Sequence, residues 1–289
     1  MYLIKHLSLL LMLLLLNGCA AIGLLYDAAP RLAQYELDSY INLSSAQEQA
    51  LEPQINQAFA WHRKTQLPVY SAWLKAQADN ATKPLTTAQV AQSANTALGF
   101  ARDIGQHLLP QQAELALSLT PKNLKSLQSK LDKDNRKYEK EHPLNDPDAA
   151  KAKRFEDTLK WLERVYGDFD AAQTKQLRAA SDSRPLNTAL ELKIRRARQA
   201  ELLSTLNNIA TNKPPQAQAQ QQLVELVQRL DSLSAKLEAE QAIQISGRES
   251  MVAFIVQASN IASAEQREGA KQRLLRWAAD ADKLHRAAR

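Results

Sequence analysis

One short signature marks a helix start at several places along this chain, and it constrains the fold more than any other feature. The copies are Leu43-Ser44-Ser45-Ala46-Gln47, Leu85-Thr86-Thr87-Ala88-Gln89, Leu119-Thr120-Pro121-Lys122-Asn123 and Phe169-Asp170-Ala171-Ala172-Gln173, with a looser one at Ser263-Ala264-Glu265-Gln266. Each pairs a capping side chain with an amide three residues on. The oxygen of Ser44, Thr86, Thr120 or Asp170 can accept from an unpaired first-turn N–H, the amide can reach back, and the preceding apolar residue supplies a staple. Pro121 falls at the first helical position, where its missing donor costs nothing. The copies are unevenly spaced, so they indicate many helix starts rather than a solenoid repeat.

The rest of the pattern agrees. Seven glycines in 289 residues and an aromatic content of 6%, with abundant Ala, Leu, Gln, Lys and Glu, favour helix and work against sheet. Proline, asparagine and aspartate mark breaks at 80–84, 142–148, 181–185 and 212–215. Gly167, followed closely by the Asp170 cap, reads as a left-handed helix end. Leu223, Leu226, Leu230, Leu233 and Leu237 form a helical stripe short of the three or four heptads of a coiled coil, which suits packing in a bundle. Met251 to Val256 is an apolar run suited to burial. These signs predict an all-α multi-helix bundle of about seven to nine helices, elongated or two-lobed, with sub-bundles 19–142 and 149–289 as one division.

The chain opens on Lys5, an apolar run from Leu7 to Leu16, and Leu16-Asn17-Gly18-Cys19, which holds its single cysteine. An apolar run of about ten residues is too short to span the roughly 30 Å bilayer core as a helix, so it reads as a secretory leader. Gly18 before Cys19 gives it the form of a bacterial lipoprotein signal: residues 1–18 are cleaved, and Cys19 takes diacylglycerol and then an amide-linked acyl chain, palmitate-type. Several acyl chains hold a protein stably where one binds marginally. Asn17 departs from the usual small or aliphatic residue. Ala20, where an inner-membrane retention signal carries Asp, implies the periplasmic face of the outer membrane of a Gram-negative bacterium.

With its cysteine used as the anchor, the 19–289 body forms no disulfide, and stability rests on packing. A body of roughly 270 residues is large enough for that. The formal net charge is +6 and unevenly spread. Residues 19–61 carry Asp27, Glu36, Asp38, Glu48 and Glu52 against Arg31, whereas the rest is basic. That polarity suits solvated helix faces first, and a basic face for acidic polymers second.

Several segments resemble a family of uncharacterised proteobacterial lipoproteins with a domain of unknown function. They are Leu37-Asp38-Ser39-Tyr40-Ile41-Asn42-Leu43 leading to Gln47; Phe59-Ala60-Trp61-His62-Arg63 with Leu67-Pro68-Val69-Tyr70; Asn135-Arg136-Lys137-Tyr138 with Glu141; Trp161-Leu162-Glu163-Arg164 with Gly167 and Gln173; and Arg195 to Arg198 with Gln199 and Leu202. Gln66 stands where the family usually has an acidic residue, and Val165-Tyr166 where an aromatic-aliphatic pair is typical. The resemblance implies a helical lipoprotein but no activity and no binding residues.

The candidate binding residues are Trp61, His62, Arg63, Tyr70, Arg195, Arg196 and Arg198. Leu51, Ile55, Ala58 and His62 are spaced by four, three and four, which puts the imidazole at the end of an apolar helix face, with Asp38 as a plausible partner. Trp61, Tyr70 and Trp73 read as core or interface anchors, and Leu67-Pro68 should kink or end that helix. No metal site is expected: the histidines are scattered, and Glu139, Glu141, His142, Asp146 and Asp148 make a solvated loop. No cofactor motif, nucleophile elbow or glycine-rich phosphate loop occurs. These readings point to a non-enzymatic periplasmic interaction or scaffold module with an envelope protein partner and the membrane, held through Cys19. A binder of anionic envelope lipid or polymer through basic helices is the alternative, an unrecognised envelope hydrolase a distant third, and nucleic acid is no partner.

Overall fold

The computed structural model describes residues 21–240 and 247–287. The 1–18 leader and Cys19 lie outside the described residues. The chain among those residues is all-α, without strands. The helices, in order, are α1 Ala21–Ile41, α2 Ser45–Trp61, a π-turn His62–Gln66, α3 Leu67–Asn80, α4 Thr87–His107, α5 Leu109–Ser118, α6 Pro121–Glu141, α7 Pro147–Tyr166, α8 Ala171–Asp182, α9 Thr188–Asn212, α10 Gln216–Glu240, α11 Gly247–Ile261 and α12 Ala264–Arg286. Those twelve, among the described residues, exceed the expected number, in part because two long helices are each cut near a proline. Pro68 and Pro110 cannot donate and crowd the carbonyl four residues back. Before Pro68 the helix widens into the π-turn and continues instead of ending; at Leu108, just before Pro110, the chain breaks for one residue.

Every expected cap forms. Gln47 N donates to Ser44 Oγ at 3.3 Å and Ser44 N to Gln47 Oε1 at 2.9 Å. The same reciprocal pairs join Thr86 with Gln89, Thr120 with Asn123, Asp170 with Gln173 and Ser263 with Gln266.

The chain folds into two compact units, each gathered from three segments. The first takes the described residues within Met1–Lys64, Phe100–Tyr138 and Leu190–Gln241; the second takes those within Thr65–Gly99, Glu139–Ala189 and Ala242–Arg289. A division between 142 and 149 is therefore not the one the contacts make. In the first unit Tyr40, Ile41, Leu51, Leu119, Leu127 and Leu131 form one core, while Ala113, Ala116, Ile209, Ala219 and Leu223 form another. Leu223 of the α10 leucine stripe joins this second core, and Leu226, Leu230 and Leu237 of the stripe are buried as well. In the second unit Phe155, Leu162, Tyr166, Leu177, Phe254 and Ala270 make the core. There α3 packs along α12, with buried Leu67, Ser71, Leu74 and Ala78 on one helix and Ala270, Ala278, Ala281 and Leu284 on the other. Small side chains at the contact let the backbones approach closely.

In each unit two of the capped corners also grip each other. In the first, Gln47 Nε2 donates to Asn123 Oδ1 (3.1 Å) and to the Ser118 carbonyl (2.9 Å), while Asn123 Nδ2 donates to the Ile41 and Asn42 carbonyls (both 2.9 Å). In the second, Gln173 Nε2 donates to Gln266 Oε1 (2.7 Å) and the Ile261 carbonyl (3.1 Å), and Gln266 Nε2 donates to Gln173 Oε1 (3.1 Å) and the Asp168 carbonyl (2.8 Å). Each amide thus caps one helix start and also satisfies carbonyls left open where another helix ends. Gly167, at φ 83° and ψ −177°, is not in the left-handed helical region the sequence suggested. It occupies the extended mirror region that only glycine adopts without strain.

Candidate functional site

Buried aromatic and charged side chains cluster where α1 meets the end of α2 and the π-turn. His62 is 3% exposed, and its Nδ1 lies 2.7 Å from the Tyr26 hydroxyl. Burial pulls the imidazole from 6.5 down to about 3 and pushes the Tyr26 phenol above its ordinary value. Near neutral pH the phenol therefore keeps its proton and the ring is neutral, and the two share one hydrogen bond whose direction follows the ring's tautomer. Tyr26 also meets Phe59 edge-on, with ring centroids 5.9 Å apart at 81°. The Arg63 guanidinium sits 4.6 Å from the Tyr26 ring centre and pairs with Asp27 at 2.5 Å. So desolvated, the imidazole is uncharged near neutral pH.

The expected Asp38 partner for His62 is not the one found. Asp38 Oδ1 accepts from Leu43 N at 2.7 Å, holding the α1–α2 corner, because a short carboxylate beside a helix end finds the nearest open amide first. Trp61 stacks on His107, the last residue of α4, with centroids 3.7 Å apart and planes 7° apart. Tyr70 and Trp73 belong to the second unit, so the sequence cluster from Phe59 to Trp73 divides between two units. Tyr26, the central residue of the site, was not singled out from the sequence. It lies on the buried α1 face with Ala29, Ala33 and Tyr40, a helical spacing that could have revealed it.

The arginine segment is also turned to structural use. Asn135 and Gln199, both buried, exchange amide hydrogen bonds of 2.7 and 3.1 Å between α6 and α9. Arg195 Nε donates to Asn135 Oδ1 at 2.7 Å and lies 5.6 Å from the centre of the Tyr138 ring, while the Tyr138 hydroxyl donates to Glu191 at 2.7 Å. Tyr40 donates to Asp134 at 3.0 Å, with Lys130 bonded to the same carboxylate. The stretches 135–138 and 195–199, far apart in sequence, thus meet in one polar layer. Arg198 is half-buried and Arg196 is exposed.

In the second unit an open cleft of about 430 Å³ lies among Pro143, Leu144, Lys151, Asp182, Arg184 and Thr188. Its charges serve the fold: Asp182 pairs with Arg178 at 2.7 Å, and Arg184 lies 5.2 Å from the Phe254 ring centre and donates to Ser250. Asp146, from the acidic loop, caps α7 through Ala149 N at 2.9 Å. Among the described residues no group of three or more His, Cys, Asp or Glu side chains could hold a metal ion.

A model described as a family of unknown function (DUF6279) matches residues 39–238. The chain belongs to that family. The matched stretch contains Trp61, His62 and Arg63, the Asn135–Gln199 layer and the first amide clasp, whereas Gln266 of the second clasp and the first turns of α1 lie outside it. No curated protein and no solved structure matches the chain.

Proposed function

We propose that this member of the family is a lipoprotein, anchored through Cys19 to the periplasmic face of the outer membrane, whose helical body is a non-enzymatic interaction or scaffold module for another envelope protein. The supporting observation is the exposed indole of Trp161, 48% accessible on the outer face of α7 between exposed Lys160 and Arg164. An amphipathic ring flanked by cations is the side-chain type that anchors protein interfaces. In contrast, His62, Arg63, Arg195 and the clasp amides are engaged in internal bonds. No helix among the described residues is long and apolar enough to cross a membrane.

The alternative, an anionic lipid or polymer binder, rests on the exposed Arg196 and the basic side chains of α12. It ranks second because Arg195, Arg267 and Arg273 turn inward onto Asn135 and onto the carbonyls of Ala262 and Val165. A photo-crosslinking residue at position 161 in cells should trap a discrete protein adduct. Adducts only with lipopolysaccharide or phospholipid would favour the alternative, and no adduct would remove the Trp161 argument. Separately, Cys19→Ala should abolish acyl labelling and release the body from the membrane fraction.

A further inference from the structure

We infer that the outward face of α1 lies flat in the membrane interface, with Leu24, Ala28, Leu32 and Tyr35 against the acyl boundary and Arg31 at the phosphates. This rests on the reading that Cys19 carries the anchor. Both faces of α1 are apolar. The inward face carries Tyr26, Ala29, Ala33 and Tyr40, all buried. The outward face carries Leu24, 75% exposed, Leu32, 43% exposed, and Tyr35, 73% exposed, with exposed Ala28 and Arg31 among them. Positions 24, 28, 31, 32 and 35 share one side of a 3.6-residue helix. Single exposed leucines are ordinary on a surface, whereas an apolar stripe on a helix already packed on its other side needs an occupant.

The position of the stripe in the chain indicates which one. One residue separates Cys19 from the start of α1 at Ala21. At about 3.5 Å per extended residue, Leu24 lies within roughly 20 Å of the acylated sulfur. So short a connection makes contact with the leaflet effectively intramolecular. Leu24 and Tyr35 are then about 16 Å apart along the axis, and both reach the interface only if α1 lies in the plane of the membrane.

Charge permits this placement. Asp27, beside the stripe, is paired with Arg63, while Arg31 lies within the stripe and can meet lipid phosphate. Glu36 and Asp38 follow Tyr35, beyond the apolar segment. Tyrosine at the end of the stripe suits the headgroup level, with its ring buried and its hydroxyl hydrated.

The test uses the chain beginning at Cys19, coupled through that sole cysteine to a maleimide lipid in phosphatidylethanolamine/phosphatidylglycerol vesicles, with Tyr35→Trp read against the unsubstituted chain. The added emission should shift to the blue and be quenched by brominated acyl chains. Both effects should disappear when Leu24→Glu and Leu32→Glu are introduced, with the helical circular dichroism unchanged. Absence of shift and quenching would overturn the placement. A concentration-dependent shift without vesicles would also overturn it, by assigning the stripe to a second copy. Because chemical coupling replaces cellular acylation, a negative result here leaves the Cys19 reading standing. Mass spectrometry of envelope protein showing an unacylated Cys19 would instead remove the anchor, and with it the membrane placement.

Discussion

The two amide clasps solve one problem with different parts. In the first unit a shorter side chain, Asn123, is 2% exposed and reaches two carbonyls of the α1 end, and the corner turns through Asn42 at φ 50°. In the second unit both amides are glutamines, each partly exposed, and the corner turns through Gly167 at φ 83°. The Gly167 corner needs a backbone conformation closed to other residues, whereas the Asn42 corner uses one that asparagine tolerates. Cations cover both corners: Lys213 donates to the Leu117 and Leu119 carbonyls, and Arg273 lies over Gly167 and donates to the Val165 carbonyl at 3.3 Å. Burial therefore sets how much each clasp contributes. The first depends on the buried Asn123 amide, the second on its backbone.

That contrast can be broken by substitution. Asn123→Leu leaves the buried Ile41 carbonyl and the partly buried Asn42 carbonyl without the amide that serves them, and should cost about 3 kcal/mol in urea unfolding; a loss no larger than that of Gln266→Ala would refute the ranking. Gly167→Ala should cost about 2 kcal/mol, since a Cβ there would meet Arg273 Nη2 at 2.8 Å on a backbone alanine avoids. Asn42→Ala, in the milder left-handed region, should cost about 1 kcal/mol, and reversal of that order in thermal melts would undo the comparison.

Acid should act through the first unit, which holds His62. Its folded value, about 3, lies below the ordinary imidazole value of 6.5, so the unfolded chain binds a proton that the folded chain refuses. Stability is then fully present above 6.5 and is lost as pH falls toward 3, by roughly 1.4 kcal/mol per unit within that window. The slope should be absent in His62→Gln when urea midpoints are compared at several pH values. Smallest of the set, Gln266→Ala exposes the Asp168 carbonyl to water rather than to a dry interior, and should cost about 1 kcal/mol or less in the same assay.

Local features were legible because their causes are local. A cap needs only a side-chain oxygen and an N–H within three residues, so Ser44, Thr86, Thr120, Asp170 and Ser263 could be read without tertiary information. His62 at the end of an apolar face was likewise correctly placed inside, since helical period alone puts Leu51 and His62 on one side. Its partner was not legible. Tyr26 is 36 positions away, and only packing of α1 on α2 brings it to the imidazole. The arginine segment reads as a candidate binding cluster because sequence shows charge but not the buried Asn135–Gln199 pair that draws Arg195 inward. The division into units was hidden for the same reason: breaks at loops mark where helices stop, whereas contacts decide which helices share a core.

By itself the sequence determined that the chain is a set of short capped helices and where most of them begin, because capping and periodicity act within a few residues. Tertiary structure alone decided that Gln47 grips Asn123 and Gln173 grips Gln266, that Tyr26 faces His62, and that α1 keeps a second apolar face outward. Those outcomes depend on which distant surfaces exclude water together, a property of the packed whole that no local stretch encodes.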